Sequence, residues 1–246
     1  MDKINIVIPM AGKGQRFKNA GYTKNKPFID ILGTPMIQKI ICNVMPRNHE
    51  INKILFICQQ EDVGELNNVI EYILNLTNFP RFTCQVIPIN YITEGPASTV
   101  MLANDHINNE HPLLIANSDQ YIDDFNVDLY IDRCNRYDGG ILCFWNNDPK
   151  WSYVRIDNGF VVETAEKKPI SEHATVGIYY FKRGSDFVAG YNKMRNNNDR
   201  TNNEFYVAPV YNYLIDNNMR IIPHFINDMH GLGTPDDLQK YIAQFK

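Results

Sequence analysis

With 246 residues, 44% apolar, 21% charged and 12% aromatic, the chain has the composition of a globular protein able to bury a full core, which excludes wholesale disorder. A net charge of −4 without a Lys/Arg-rich run argues against a nucleic-acid surface and favours small anionic ligands in a local basic pocket. Cys42, Cys58, Cys84, Cys134 and Cys143 form no CxxC pair, and no apolar run reaches the length of a membrane span. Reduced, mostly core cysteines and a cytoplasmic location without membrane contact are therefore expected.

Ile4 to Pro9 is a short apolar run, the pattern of a buried parallel strand entering a loop over Met10 to Gln15. Helical apolar spacing follows over Met36 to Val44, then a strand over Ile54 to Cys58 and a helix over Val63 to Leu74. A strand from Cys84 to Ile89, a helix from Pro96 to Asp105 and a strand from Leu113 to Ala116 continue the alternation, and the last strand ends in Asn117-Ser118-Asp119. This predicts an α/β fold with a doubly wound, mostly parallel, Rossmann-like sheet and ligands at the carboxyl ends of its strands. Beyond it, Gly140 to Trp145, Tyr153 to Ile156, Phe160 to Glu163 and Thr175 to Phe181 read as shorter strands, with a hairpin at Asp157-Asn158-Gly159. They predict a smaller antiparallel layer fused to the first sheet, followed by helices near Phe187 to Met194 and Pro209 to Asp216. Without a repeat or a long linker, one continuous domain over residues 1–246 is expected.

Ala11-Gly12-Lys13-Gly14-Gln15-Arg16-Phe17 directly follows the first strand. Glycines let a backbone approach phosphate oxygens closely, and Arg16 supplies a permanent, bidentate charge. The segment is not a Walker A loop, because Lys-Ser/Thr is missing, and Phe17 stands where the dinucleotide fingerprint has its third glycine. On its own it reads either as a triphosphate cradle or as a glycine turn beside an exposed arginine. The six histidines form no HxxxH or HxH pair and no serine has a GxSxG context, which disfavours metal-hydrolase and serine-hydrolase sites. Trp145 and Trp151 are expected in the core or in a pocket wall.

"IPMAGKGQRF" followed by "KPFIDILGTPMI" resembles the N-terminal signature of the sugar nucleotidyltransferases. The resemblance implies a GT-A-type nucleotidyltransferase fold in which residues 1–125 bind the nucleotide and 126–246 the acceptor. It implies that Ala11, Gly12 and Gly14 wrap the triphosphate while Arg16 and Lys26 act catalytically at the reacting phosphates. Glu94-Gly95-Pro96-Ala97 is similar to the base-contacting segment, giving Asn90 and Gly95 to the base, with Ser118 beside the nucleotide. Asp119 matches the metal-binding aspartate, implying Mg²⁺ or Mn²⁺. Glu166-Lys167-Lys168-Pro169 resembles the sugar-phosphate segment, which gives Glu166, Lys168 and, from the neighbouring strand, Tyr153 to the acceptor. "ATVGIYYF" and "GTPDDL" extend the likeness along nearly the whole chain. "HPLLIANSDQ", "DPKWSY" and "NNEFYVAPVYN" look most like a capsule and surface-polysaccharide subgroup that includes enzymes of the CTP:phosphoglutamine cytidylyltransferase type. The implied partners are an NTP and a phosphorylated small molecule, and a homo-oligomer is compatible with them.

Four positions depart from the pattern. Gly231 stands where the second metal aspartate belongs, so Asp228, His230 or the acceptor phosphate would complete the ion's shell, with Asp228 the preferred oxygen donor. Asn90 replaces a base-contacting Gln, Ser152 a glycine near the sugar ring, and Pro209 an acid. Two other functions compete. A glycosyltransferase of similar fold would require an acid at position 121, where Tyr121 stands, and a silent nucleotide-sugar sensor would not need Arg16, Lys26 and Asp119 together.

Overall fold

The computed structural model describes residues 3–77 and 79–245. Strand β1 (Ile4–Pro9) lies between β4 (Ile51–Gln59) and β6 (Leu113–Ala116), parallel to both, and β5 (Cys84–Ile89) extends this parallel set beyond β4. Alternation along these strands decides which layer covers each face. Ile4, Ile6 and Ile8 of β1 and Ile54, Phe56 and Cys58 of β4 enter one core, while Val7, Leu55 and Ile57 enter the other.

The first core is covered by α2 (Met36–Val44), α3 (Val63–Leu74) and α6 (Val127–Cys134). Ile37 and Ile41 of α2 and Leu66, Val69, Ile70 and Ile73 of α3 recur at helical spacing, which is why these segments fold as helices against the sheet. The second core is covered by α4 (Pro96–Val100), α5 (Asn104–Ile107), α7 (Gly184–Asn196) and α8 (Val210–Ile215). The helix expected over Pro96 to Asp105 is broken by a 3₁₀ turn at Met101–Ala103.

The parallel set continues without interruption into antiparallel strands, giving a nine-stranded sheet. β11 (His173–Phe181) is the junction: its end pairs with β6, and it also meets β8 (Gly139–Trp145) and β9 (Ser152–Asp157). β9 and β10 (Phe160–Glu166) form the expected hairpin, with Asn158 and Gly159 both at positive φ. β12 (Ile221–Phe225) adds in parallel to β8. The expected antiparallel layer is thus part of one continuous sheet.

Short pieces close the open end: α1 (Gln15–Asn19), the ribbon of β2 (Asp30–Ile31) and β3 (Thr34–Pro35), the ribbon of β7 (Gln120–Tyr121) and β13 (His230–Gly231), and α9 (Pro235–Ala243). A third cluster of Phe17, Ile31, Met36, Leu232, Leu238 and Tyr241 ties the glycine-loop region to the C-terminal helix. Trp145 is exposed and stacked on Phe225 instead of lying in the core or a pocket wall. All five cysteines are free, with Cys58, Cys134 and Cys143 buried and Cys42 exposed. No described helix is long and apolar enough to cross a membrane.

Candidate active site

Two clefts open side by side at the carboxyl ends of β1 and β6. The loop cleft, about 230 Å³, is bounded by Pro9 to Gly12, Lys26, Gly95 and Ser118. The outer cleft, about 260 Å³, is bounded by Arg16, Gln120, Trp151, Ser152, Glu166, Lys167, Tyr206, Gly231 and Asp237. Pro96, Asn117 and Asp119 belong to both and form the dividing wall.

At that wall Lys26 Nζ donates to Asp119 Oδ2 at 2.7 Å, joining residues 93 apart in sequence. Each partner is held locally. Lys26 opens a 3₁₀ turn whose Phe28 is fully buried, and the preceding Asn25 donates its side-chain amide to Asp62 at 2.7 Å. Asp119 ends the turn after β6, and its carbonyl accepts from Leu232 N–H at 2.7 Å. Gly14, in the left-handed region at φ 60°, brings the glycine loop so close to Lys26 that a Cβ there would lie 3.1 Å from the lysine Cβ. Phe17, 1% exposed, anchors α1 and leaves the adjacent Arg16 at the mouth of the outer cleft.

Gly95 has φ 118°, and any Cβ would stand 2.6 Å from the carbonyl oxygen and 2.7 Å from the amide nitrogen of Phe205. The close approach is used: Phe205 N–H donates to the Glu94 carbonyl, and Ala97 N–H donates to the Phe205 carbonyl. Only glycine allows this seam, which sets Glu204 in the loop cleft and Tyr206 in the outer one.

The carboxylate of Glu166 is buried and accepts from the Ser152 hydroxyl. Burial pushes its pKa up, the Ser152 bond and Lys167 pull it down, and the nearby Glu204 pushes it up again. Lys167 leaves β10 at φ 52°, its N–H donating to the Trp151 carbonyl at 3.0 Å, and its side chain reaches the outer cleft. Lys168, given to the acceptor by sequence, is exposed and borders neither cleft.

Of the other anticipated residues, Arg16, Lys26, Ala11, Gly12, Gly95, Ser118, Glu166 and Asp119 border the clefts, and Gly14 abuts Lys26. Asn90 is exposed at the end of β5 and borders neither cleft. Tyr153 is fully buried in the first core with its hydroxyl on the Asp148 carbonyl, because strand alternation turns Ser152 to the cleft and Tyr153 away from it. Asp228 is exposed and accepts from the N–H of Met229, while His230 pairs with Asp123 at 2.7 Å; neither borders a cleft. Trp151 lies in a pocket wall, one of the two places expected for it. Asn117, Gln120, Tyr206 and Asp237 join the site unannounced, although the cluster of polar residues after β6 was a usable signal for the first two.

Among the described residues no three His, Cys, Asp or Glu side chains converge as a ready metal cage. The Asp119 carboxylate at the dividing wall nevertheless fits Mg²⁺, which takes one or two carboxylates and completes its shell with phosphate oxygens and water.

A glycine loop at the carboxyl ends of a parallel sheet, facing a Lys–Asp pair between two clefts, defines a nucleotide-handling α/β enzyme. The chain belongs to the Nucleotidyl transferase family, whose pattern matches residues 6–238, and it is a nucleotidyltransferase. A nucleoside-diphosphate-sugar pyrophosphorylase from Vibrio cholerae RC9 is 25% identical and superimposes with a TM-score of 0.80 over 97% of this chain and 100% of its own. A UDP-glucose pyrophosphorylase complexed with UDP-glucose is 17% identical, with a TM-score of 0.76 over 100% of this chain and 98% of its own. A UTP-bound enzyme of that type from Acinetobacter baumannii is 15% identical, with a TM-score of 0.72 over 100% and 93%. No curated protein sequence matches the chain.

Proposed function

We propose that the chain, acting as one nucleotidyltransferase domain in the cytoplasm, joins a pyrimidine NTP (UTP or CTP) to a phosphorylated metabolite, a sugar 1-phosphate, and releases pyrophosphate for surface-glycan precursor synthesis. The observation that carries this reading is the Lys26–Asp119 pair on the wall between the loop cleft and the outer cleft. It sets a cation and a carboxylate where a nucleotide in one cleft would meet an acceptor in the other. The UTP and UDP-glucose of the structurally similar enzymes support a pyrimidine nucleotide and a sugar acceptor.

An oxygen of the acceptor phosphate attacks the α-phosphorus in line, a new P–O bond forms, and the α–β bridging oxygen leaves with pyrophosphate. The attacking group is already an anion, so no protein base is needed. Arg16 and Lys26 offset the charge gathering on the phosphates, and Lys167 holds the acceptor phosphate against its repulsion from the NTP. Asp119 would hold Mg²⁺, which when bound would supply further neutralisation of phosphate charge. The Glu166 carboxylate and the Ser152 hydroxyl oxygen, whose proton is given to Glu166, offer hydrogen-bond acceptors to hydroxyls of the acceptor substrate.

An array of four NTPs against sugar 1-phosphates and phosphoglutamine, read by pyrophosphate release, tests the assignment. Turnover of UTP or CTP with a sugar 1-phosphate is expected. Turnover only with phosphoglutamine moves the acceptor to the non-sugar class, and no pyrophosphate from any pair refutes the reading.

A further inference from the structure

Beside the dividing wall a second connection runs between the clefts. Lys167 Nζ donates to the Tyr206 hydroxyl at 2.6 Å, with its ammonium 4.7 Å from the centre of the same ring. That hydroxyl donates in turn to the Glu204 carboxylate. Lys167 and Tyr206 border the outer cleft, and Glu204 borders the loop cleft.

The polarity of the chain is fixed by chemistry. An ammonium can only donate and a carboxylate can only accept, so the phenol must do one of each. Burial, the Glu204 bond and the charges of Glu204 and Glu166 push the phenol pKa up, while Arg16 pulls it down, so the hydroxyl keeps its proton at neutral pH. The backbone of Lys167 is set by its left-handed conformation and its bond to Trp151. A lysine on four flexible methylenes still needs a side-chain partner to stay at one place in a cleft. Tyr206 is that partner, and its own position is fixed by the Phe205 seam against Gly95.

We propose that Tyr206 is a positioning residue: its hydroxyl holds the Lys167 ammonium at the acceptor phosphate and lets Glu204, a residue of the nucleotide side, act on acceptor affinity. This rests on the assignment of the outer cleft to a phosphorylated acceptor. Removing the hydroxyl takes away the hydrogen bond that fixes Lys167, leaving only the ring contact, and severs Glu204 from it in one change.

The test measures binding of glucose 1-phosphate and of UTP to the intact protein by calorimetry, for wild type, Tyr206→Phe, Glu204→Gln and the double variant, with a thermal melt of each. Tyr206→Phe is expected to weaken glucose 1-phosphate at least fivefold and to change UTP less than twofold. Glu204→Gln is expected to weaken glucose 1-phosphate in the wild-type background and to add less than twofold on top of Tyr206→Phe. Equal losses for both ligands, or additive losses in the double variant, overturn the positioning role. If wild type does not bind glucose 1-phosphate, the assignment of the outer cleft to that acceptor fails and this inference with it, while the pyrophosphate array separately decides the proposed function; if wild type binds both and Tyr206→Phe changes neither, this inference alone fails.

Discussion

Lys26 and Asp119 meet at 2.7 Å on the wall that separates the two clefts, with both side chains 19% exposed. An ion pair so far out of solvent, beside a glycine loop, is placed for chemistry more than for stability. Lys26→Ala and Arg16→Ala are each expected to lower kcat at least tenfold and towards the hundredfold that loss of about 3 kcal/mol of transition-state stabilisation brings. Far-UV circular dichroism of both variants should match wild type, and near-normal turnover in both would refute the catalytic assignment.

Asp119→Asn tests the metal separately. The amide can still accept from Lys26, so local structure is kept, but it is a poor ligand for a hard divalent ion. Activity should fall by about a hundredfold or more and no longer respond to added Mg²⁺, whereas Asp228→Asn, exposed and outside both clefts, should titrate with Mg²⁺ like wild type. Full wild-type activity in EDTA would end the metal assignment.

Glu166 carries a pH signature. Burial raises its folded-state pKa above the ordinary value of 4.5, so the folded state holds its proton to higher pH than the unfolded chain does. Between those two values the native state binds more protons, and stability contributed by this group falls as pH rises. Glu166→Gln, which can still accept from Ser152, removes that loss. The melting temperature of the variant minus that of wild type should therefore grow as pH is raised from 4.5 and then level off, while the acceptor KM rises. A difference that is flat with pH would show that burial does not perturb this carboxyl.

Periodicity made the parallel half legible, because apolar runs such as Ile4 to Pro9 and the Ile37, Ile41 stripe record burial on one or both faces. It gave less where tertiary packing decides. α6, β12 and α9 were not anticipated; α6 and α9 are short and polar on one side. In the site, motif order located Arg16, Lys26, Asp119 and Glu166. In place of Lys168 and Tyr153 the cleft is bordered by the residues that precede them: Lys167, where a left-handed backbone turns the first lysine of the pair to the cleft, and Ser152, already matched to the position near the sugar ring, while strand alternation sends Tyr153 into the core. Neither a positive φ at lysine nor the face of a two-residue choice is written in composition or spacing.

Position 231 offers little room for a side chain. A Cβ on Gly231 would stand 3.0 Å from Cη2 of Trp151, so the indole fills the room a side chain would need. Gly231→Asp alone is expected to cost about 1–3 kcal/mol through overpacking, visible as a lower urea midpoint. Combined with Trp151→Ala the substitution should regain stability. The new carboxylate, next to the Leu232–Asp119 backbone bond, should then lower the Mg²⁺ concentration for half-maximal activity. Equal destabilisation with and without Trp151 would rule out the indole as the cause.

Nucleotide recognition should depend on Gly95 and hardly at all on Asn90. Gly95 borders the loop cleft at φ 118°, and a methyl group there would be driven to 2.6 Å from the Phe205 carbonyl and 2.9 Å from Glu204 Cβ. Neither backbone atom of Phe205 can give way without breaking its bond to Glu94 or Ala97. Gly95→Ala must therefore shift the start of α4 or the Glu204–Tyr206 segment, and both line the site. A loss of roughly 1–3 kcal/mol is expected for an L-residue forced into this conformation. The NTP KM should rise with it, and the acceptor KM should follow because Tyr206 moves too. Asn90 is exposed and borders neither cleft, so Asn90→Ala should leave the ratio of kcat/KM for UTP over ATP within about threefold of wild type. Measuring kcat/KM for UTP, CTP, ATP and GTP in both variants decides the matter. A collapse of pyrimidine preference in Asn90→Ala would return the base-reading role to that side chain, and an unperturbed NTP KM in Gly95→Ala would remove the seam from nucleotide binding.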